Sequence, residues 1–299
     1  MIFNGFFVRI SALFFSAVLL AAAGCSDTPD TDTAGGNDKD SLNLPPKNLQ
    51  LKGQNFMVPS PVQIAGMIKS SGALYNKEML NPAANLSRYS DDMKRALNLG
   101  VYGADLGYVS MYENTTDALS YYKTVMTLGE QMRITASFDK QLLERFSANI
   151  GKKDSVMKIV GESYRRSDEF LKEGDREHVA ALILAGGWIE SMHFALSVYK
   201  IKPEPDMAVR IGEQKNTCAG ILKLLVEQDK PEFEQLIKLY QDLNNVYSQI
   251  EMKYTFAEPV TDNANKITTI NGKTEVNITP EQLTALTEKT AALRNYIIN

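Results

Sequence analysis

The chain has 299 residues, of which 44% are hydrophobic and 23% charged, with a formal net charge of −4 and two cysteines. That length allows one large or two small domains with a substantial core. Two cysteines exclude a disulfide scaffold, and the acidic balance excludes the basic footprint of a nucleic-acid-binding protein.

The first stretch, MIFNGFFVRISALFFSAVLLAAAGC, carries one charged side chain, Arg9, and then an apolar run from Ile10 to Ala23 that ends in small residues. This is the layout of a signal peptide over residues 1–24. The run falls short of the roughly 20 apolar residues of a spanning helix, and no later segment comes closer, so the body is expected to be exported and not membrane-embedded. Ala22-Ala23-Gly24-Cys25 resembles the lipobox of bacterial lipoproteins, with Ala22 standing where Leu is commoner. The resemblance implies cleavage before Cys25 and a diacylglycerol on its sulfur, which makes the membrane a partner through that lipid. A disulfide from Cys25 would have to join a flexible terminus to Cys218, which sits among Ala219, Ile221 and Leu222 and reads as a small buried hydrophobe. Residues 25–55, rich in Asp with little apolar content before the paired prolines, are expected to be a disordered tether. Acidic residues directly after a lipidated cysteine also resemble export signals of Gram-negative lipoproteins, which implies an outer-membrane or cell-surface address.

The body reads as successive amphipathic helices. Ser60-Pro61-Val62-Gln63 opens a helix to about Tyr75 with a capping serine, a first-turn proline and a glutamine that reaches back. A looser segment runs from Asn81 to Ser90. Helices are expected from Asp91 to Tyr112, from Asn114 to Ile134, and from Ser137 through Ala148. The pattern continues over Ser155 to Lys172, Asp175 to Lys200, Asp206 to Glu227, and Pro231 to Tyr254. The fold class is therefore all-α, a helical bundle.

Two sets of four helices look related. Gly107-Tyr108-Val109 with Met111 is matched by Gly187-Trp188-Ile189 with Met192, and Leu128-Gly129-Glu130-Gln131 by Ile211-Gly212-Glu213-Gln214. The expectation is an internal duplication, with one four-helix unit over 56–151 and a second over 152–254. The Asn81 to Ser90 segment has no counterpart of similar length and becomes an insertion, a place where function concentrates. Residues 255–299 differ. Lys266 to Ile270 and Lys273 to Ile278 alternate around Asn271-Gly272, the signature of a small hairpin, expected to be the only sheet. Thr279-Pro280-Glu281-Gln282 then starts a final helix that packs back on the bundle.

Several residues are candidates for chemistry. Gly100, Gly103 and Gly107 share one helix face, and each interior glycine costs about 1 kcal/mol relative to alanine, so they mark either close helix approach or a groove floor open to a ligand. Asp105 belongs either in such a groove or on the wet side of its helix. Glu190 and His193 are one turn apart and form a carboxylate–imidazole pair, structural or functional, with no nucleophile signalled beside them. Glu130 and Glu213 occupy matched positions and would face each other across a pseudo-twofold, as solvated acids or as a hydrolytic pair. Tyr108 and Trp188 would line an aromatic pocket for a saccharide or peptide between the two units, or fill the core. No pair of histidines has metal-binding spacing and no nucleotide loop is present, so neither a metal nor a cofactor is expected. These readings favour a non-catalytic, lipid-anchored envelope protein that binds a protein or envelope component, with small-ligand binding and a paired-carboxylate hydrolase as alternatives.

Overall fold

A computed structural model describes residues 47–51, 54–58, 61–134, 140–150, 176–262, 267–269 and 273–299, with isolated positions between 152 and 166. Cys25 lies outside the described residues. Two long helices form the centre, α2 (Asp92–Met111) and α5 (Glu177–Ile201). Every residue of α2 from Ala96 to Met111 is buried, and so is most of α5 from Val179 to Val198. A helix that is apolar or small on all sides has no wet face to present, and both are enclosed by the others. By length and composition α5, with a mean hydropathy of 1.5, is long and apolar enough to cross a membrane, and 89% of its apolar window is buried inside the body. This departs from the expectation that no segment after the N-terminal run comes closer to spanning length; Glu190 and His193 interrupt the run and disguise it.

Around the central pair stand α1 (Pro61–Ser70), α3 (Thr115–Gln131), α6 (Pro205–Gly212), α7 (Lys215–Val226), α8 (Glu234–Ser248) and α9 (Pro280–Ile298), with α4 (Lys140–Asn149) following α3 in the chain. Helix α1 packs on α2 and α5, α3 on α2, and α9 on α5 and α8. The starts follow local chemistry. Asp91 accepts the Lys94 amide, Asn114 accepts the Asp117 amide, and Thr279 with Gln282 makes a reciprocal capping box at α9. The last carbonyls of α9 are met by side chains from elsewhere: Lys94 donates to Tyr296, Asn98 to Ile297 and Tyr89 to Ile298. Buried helix ends require such partners.

The central crossing is backbone on backbone. A Cβ at Gly100 would overlap the Ile183 carbonyl and come within 2.6 Å of the Gly187 nitrogen, and one at Gly186 would overlap the Leu97 carbonyl. Gly100 and Gly186 therefore serve close approach, and no groove floor opens at that crossing.

Four details depart from the sequence expectation. The helix expected from Asp206 to Glu227 divides into α6 and α7 at Glu213 and Gln214, next to Gly212, where a Cβ would overlap the Val276 side chain. The helix expected to reach Tyr254 stops at Ser248, and Glu251–Thr255 forms strand β3. The C-terminal hairpin is present, but the strands on either side of Asn271-Gly272, which itself lies outside the described residues, do not pair with each other. Strand β3 pairs antiparallel with β6 (Lys273–Asn277), and β4 (Val260–Asp262) with β5 (Ile267–Thr269), so the reversal falls between Asp262 and Ile267. Alternation marks a strand without naming its partner, and the alternation in β3 is hidden at the end of a helical pattern. A further hairpin, β1 (Lys47–Leu51) with β2 (Gln54–Val58), lies within the stretch expected to be tether and at the edge of the first unit, so the C-terminal sheet is not the only one.

The described body belongs to one compact unit, Asp38–Asn299. Its two halves meet through α2 and α5, the helices that the expected duplication makes equivalent. Much of the first helix of the expected second unit lies outside the described residues, so the duplication rests on the sequence matches.

Candidate functional site: a buried charge cluster under the 77–90 segment

After α1 the chain forms two short 3-10 turns, Lys77–Met79 and Ala83–Arg88, laid across the central helices. Beneath them four ionisable groups meet. Arg294 of α9 grips Glu190 of α5 with two parallel bonds, Nε to Oε2 at 2.6 Å and Nη2 to Oε1 at 2.7 Å, and Nη2 also donates to the Met79 carbonyl at 3.0 Å. Glu190 is fully buried and Arg294 nearly so. A desolvated bidentate pair is strongly directional, and losing either partner strands a charge in the interior.

Asp105 of α2 is also fully buried, and its carboxyl neighbours that of Glu190. Neither of its oxygens completes a hydrogen bond among the described residues, although the Asn81 backbone amide approaches it and draws its pKa down. Burial pushes its pKa well above the usual carboxylate range, the Glu190 charge adds to this, and Arg294 opposes it. His193 stands half-buried beside the cluster. Burial holds its imidazole below the ordinary value, against the pull of Glu190 and of a hydrogen bond with the Met79 backbone.

Asn81 closes the cluster from above. Its Nδ2 donates to the Tyr89 hydroxyl at 2.9 Å and to Asn98 Oδ1 at 3.2 Å, its Oδ1 accepts from Asn85, and its carbonyl accepts the Tyr121 hydroxyl at 3.1 Å. Tyr102 donates to the Pro82 carbonyl. The inner side chains Met79, Leu80, Asn81 and Tyr89 are buried, whereas Pro82, Ala84, Ser87, Arg88 and Ser90 lie in solvent.

Of the sequence candidates, the structure brings together Asp105, Glu190 and His193. Asp105 is on neither a groove floor nor a wet face; it is in the interior. Glu190 turns to Arg294 in preference to forming a closed pair with His193. Arg294, Asn81 and Asn98 escape sequence reading because their partners are far away in the chain: Arg294 is 104 residues from Glu190 and 215 from Met79.

The other candidates lie elsewhere. Tyr108 is fully buried against Tyr75, Tyr112 and Phe194, with its hydroxyl accepting the Asn76 amide. Trp188 is buried beside Tyr240 and Tyr247 and donates to Gln214. Both are core residues among the described elements, and the crossing of α2 and α5 is filled at Gly100 and Gly186. Glu130 is exposed at the end of α3, and Glu213, just past the end of α6, pairs with Arg210 of that helix at 2.9 Å. Among the described residues no hydrogen bond or ion pair joins Glu130 to Glu213. Cys218 is buried and free, and burial pushes its thiol up, which suits the expected small hydrophobe and not a nucleophile. No group of three acidic, histidine or cysteine side chains suited to a metal occurs among the described residues. A groove of about 640 Å³ lies between α7 and the β3/β6 pair, lined by Lys215, Ser248, Met252, Glu275 and their neighbours, but Lys215 is engaged with the Ser248 and Ile250 carbonyls.

No family model, no curated protein and no solved structure matches the chain. What fold and site define is a class: a helical bundle with two buried central helices and a charge cluster sealed beneath a short surface segment.

Proposed function

We propose that this chain is a lipid-anchored protein of the bacterial cell envelope, at the outer membrane or cell surface, that binds a protein or envelope component and does not transform a substrate. The observation that carries the binding reading is the two-sided character of the Asn81–Ser90 segment. Asn81, Pro82 and Tyr89 hold its inner side by hydrogen bonds to α2, α3 and the end of α9, while Ala84, Ser87 and Arg88 are displayed to solvent. A short irregular segment held by a rigid scaffold loses little entropy when it docks, which is how binding loops gain affinity. Lipid on Cys25 supplies the address, because more than one acyl chain makes anchoring stable.

A photo-crosslinking residue at Ser87 tests the binding reading in intact cells. The expected result is a discrete adduct that disappears when Ala84 and Arg88 are both replaced by Glu, with the fold retained. Equal crosslinking from Ser87 and from an exposed position on α8 would overturn it. The address is tested separately by the mass of the mature N-terminus. It should begin at Cys25 and carry a lipid that Cys25→Ala abolishes; an unlipidated mature N-terminus refutes the anchor.

A further inference from the structure

The Asp105 carboxyl is fully buried, it faces a second buried carboxyl, and neither of its oxygens completes a hydrogen bond among the described residues, the Asn81 backbone amide only approaching it. One guanidinium, Arg294, serves two acids, and both prongs that it turns to carboxyl are spent on Glu190. Two ionised carboxylates beside one cation would leave a net negative charge in the core, with no complete hydrogen bond to solvate the second of them. A proton removes both problems. As an acid Asp105 turns a repulsive contact into an O–H···O bond with Glu190, and the cluster becomes one cation, one anion and one neutral acid.

We propose that Asp105 is held as a carboxylic acid whose proton is shared with Glu190, and that this proton is a latch that keeps the 77–90 segment seated. The path from proton to segment is short. Arg294, which balances Glu190, also holds the Met79 carbonyl, and Asn81, on the same strip of chain, is fixed to Asn98 and Tyr121. When Asp105 ionises, Arg294 faces two negative charges with one set of donors, and its bond to Met79 competes with the second carboxylate. The segment then opens to let water reach the acid.

The other groups facing the cluster do not supply this behaviour. From α5, His193 has its pKa held below the ordinary value, so it is neutral above pH 7. From α2, α3 and the segment itself, Tyr102, Tyr121 and Tyr89 are phenols that burial pushes upward, away from the neutral range. Arg294 stays charged throughout. Among the described acids with a shifted pKa Asp105 is the one raised on balance; Asp117, Glu162 and Glu281 are held low by their hydrogen-bond partners.

The sign follows from linkage. The folded state holds a proton that the unfolded chain releases near the ordinary Asp value, so the unfolding constant rises with pH from about 4 upward, by up to tenfold per unit for one proton, until the folded-state value is reached. Opening of the segment alone follows the same law. The test compares the natural chain with Asp105→Asn, a neutral isostere, by two measurements. Amide exchange over residues 77–90, corrected for its intrinsic pH dependence, should accelerate with pH between 6 and 9 in the natural chain and stay flat in D105N. Infrared spectroscopy should show the carbonyl stretch of a protonated carboxyl in the natural chain at pH 7 and lose it in D105N. Should D105N not fold, the infrared band of the natural chain still decides, because it must persist at pH 7 and vanish on unfolding. Absence of that band at pH 7, or exchange with the same pH dependence in both chains, overturns the latch.

Discussion

Replacing Gly186 by alanine tests the central crossing directly. In an exposed helix interior this change stabilises by about 1 kcal/mol, because alanine loses less backbone entropy on folding. Here the added methyl overlaps the Leu97 carbonyl, which belongs to a buried helix held on several sides. Backbone cannot rotate out of the way as a side chain does, so α2 and α5 must separate. Overpacking of a well-filled core costs about 1–3 kcal/mol, and separating two central helices also loosens contacts along their length. The cost exceeds the propensity gain, and a net loss of about 2 kcal/mol is expected. Gly187→Ala provides the scale, since its Cβ would sit 3.2 Å from the Gly100 carbonyl, a contact that a small shift relieves. Urea unfolding followed by circular dichroism should place the G186A midpoint below those of both the natural chain and G187A, with unchanged slopes. A G186A midpoint at or above that of the natural chain refutes the close crossing.

Two further expectations concern charge. Arg294→Met leaves Glu190 buried without its cation, and the loss should be about 3–5 kcal/mol in urea unfolding, whereas the double change Glu190→Leu with Arg294→Met should recover most of it, because an apolar pair of similar volume avoids the desolvation cost; a double variant as unstable as R294M would mean that packing, not charge, sets the effect. Asp117 provides an acid-side dependence. Burial raises its pKa, but hydrogen bonds from Lys77 at 2.5 Å and Tyr75 at 2.7 Å, with the Lys77 charge, outweigh this and hold it below the ordinary value. Its folded pKa is depressed, so its contribution is present above the unfolded value near 4 and is lost as pH falls through the folded value. Asp117→Asn should therefore narrow the stability difference from the natural chain as pH is lowered from about 5 to 3, and a gap that is constant over this range would refute the assignment.

The helices were legible because their signals are local. Asp91, Asn114 and Thr279 announce starts through a side chain that reaches its own first turn, and these starts hold to within a residue. Glycines at the crossing were legible as a cost needing compensation, though sequence could not choose between a partner helix and a ligand. What failed was partner choice over distance. Alternation around Asn271-Gly272 signalled strands, yet their partners are β3 and β4, upstream. The site divided in the same way. Asp105, Glu190 and His193 stand out as polar residues inside apolar helices, whereas Arg294 lies on a helix whose sequence gives no reason for its burial. Tyr108 and Trp188 carried the opposite ambiguity, because an aromatic with a polar tip fits a pocket wall and a satisfied core equally.

The charge cluster also bears on why the fold closes as it does. Met79, Asp105, Glu190 and Arg294 come from four regions of the chain, and no two of them are joined by a local turn. Glu190 sits in a helix that would bury it without a partner if α9 were absent, so docking of the C-terminal helix removes a penalty that the central pair alone would bear. The same docking places the ends of α9 and Arg294 under Tyr89 and Met79, which seats the surface segment. Closure of the core and presentation of the Asn81–Ser90 segment are therefore one event. Perturbing Arg294 should release the displayed segment at a lower denaturant concentration than a hydrophobic truncation of equal cost on α8, such as Leu236→Ala, which touches the core but not the segment.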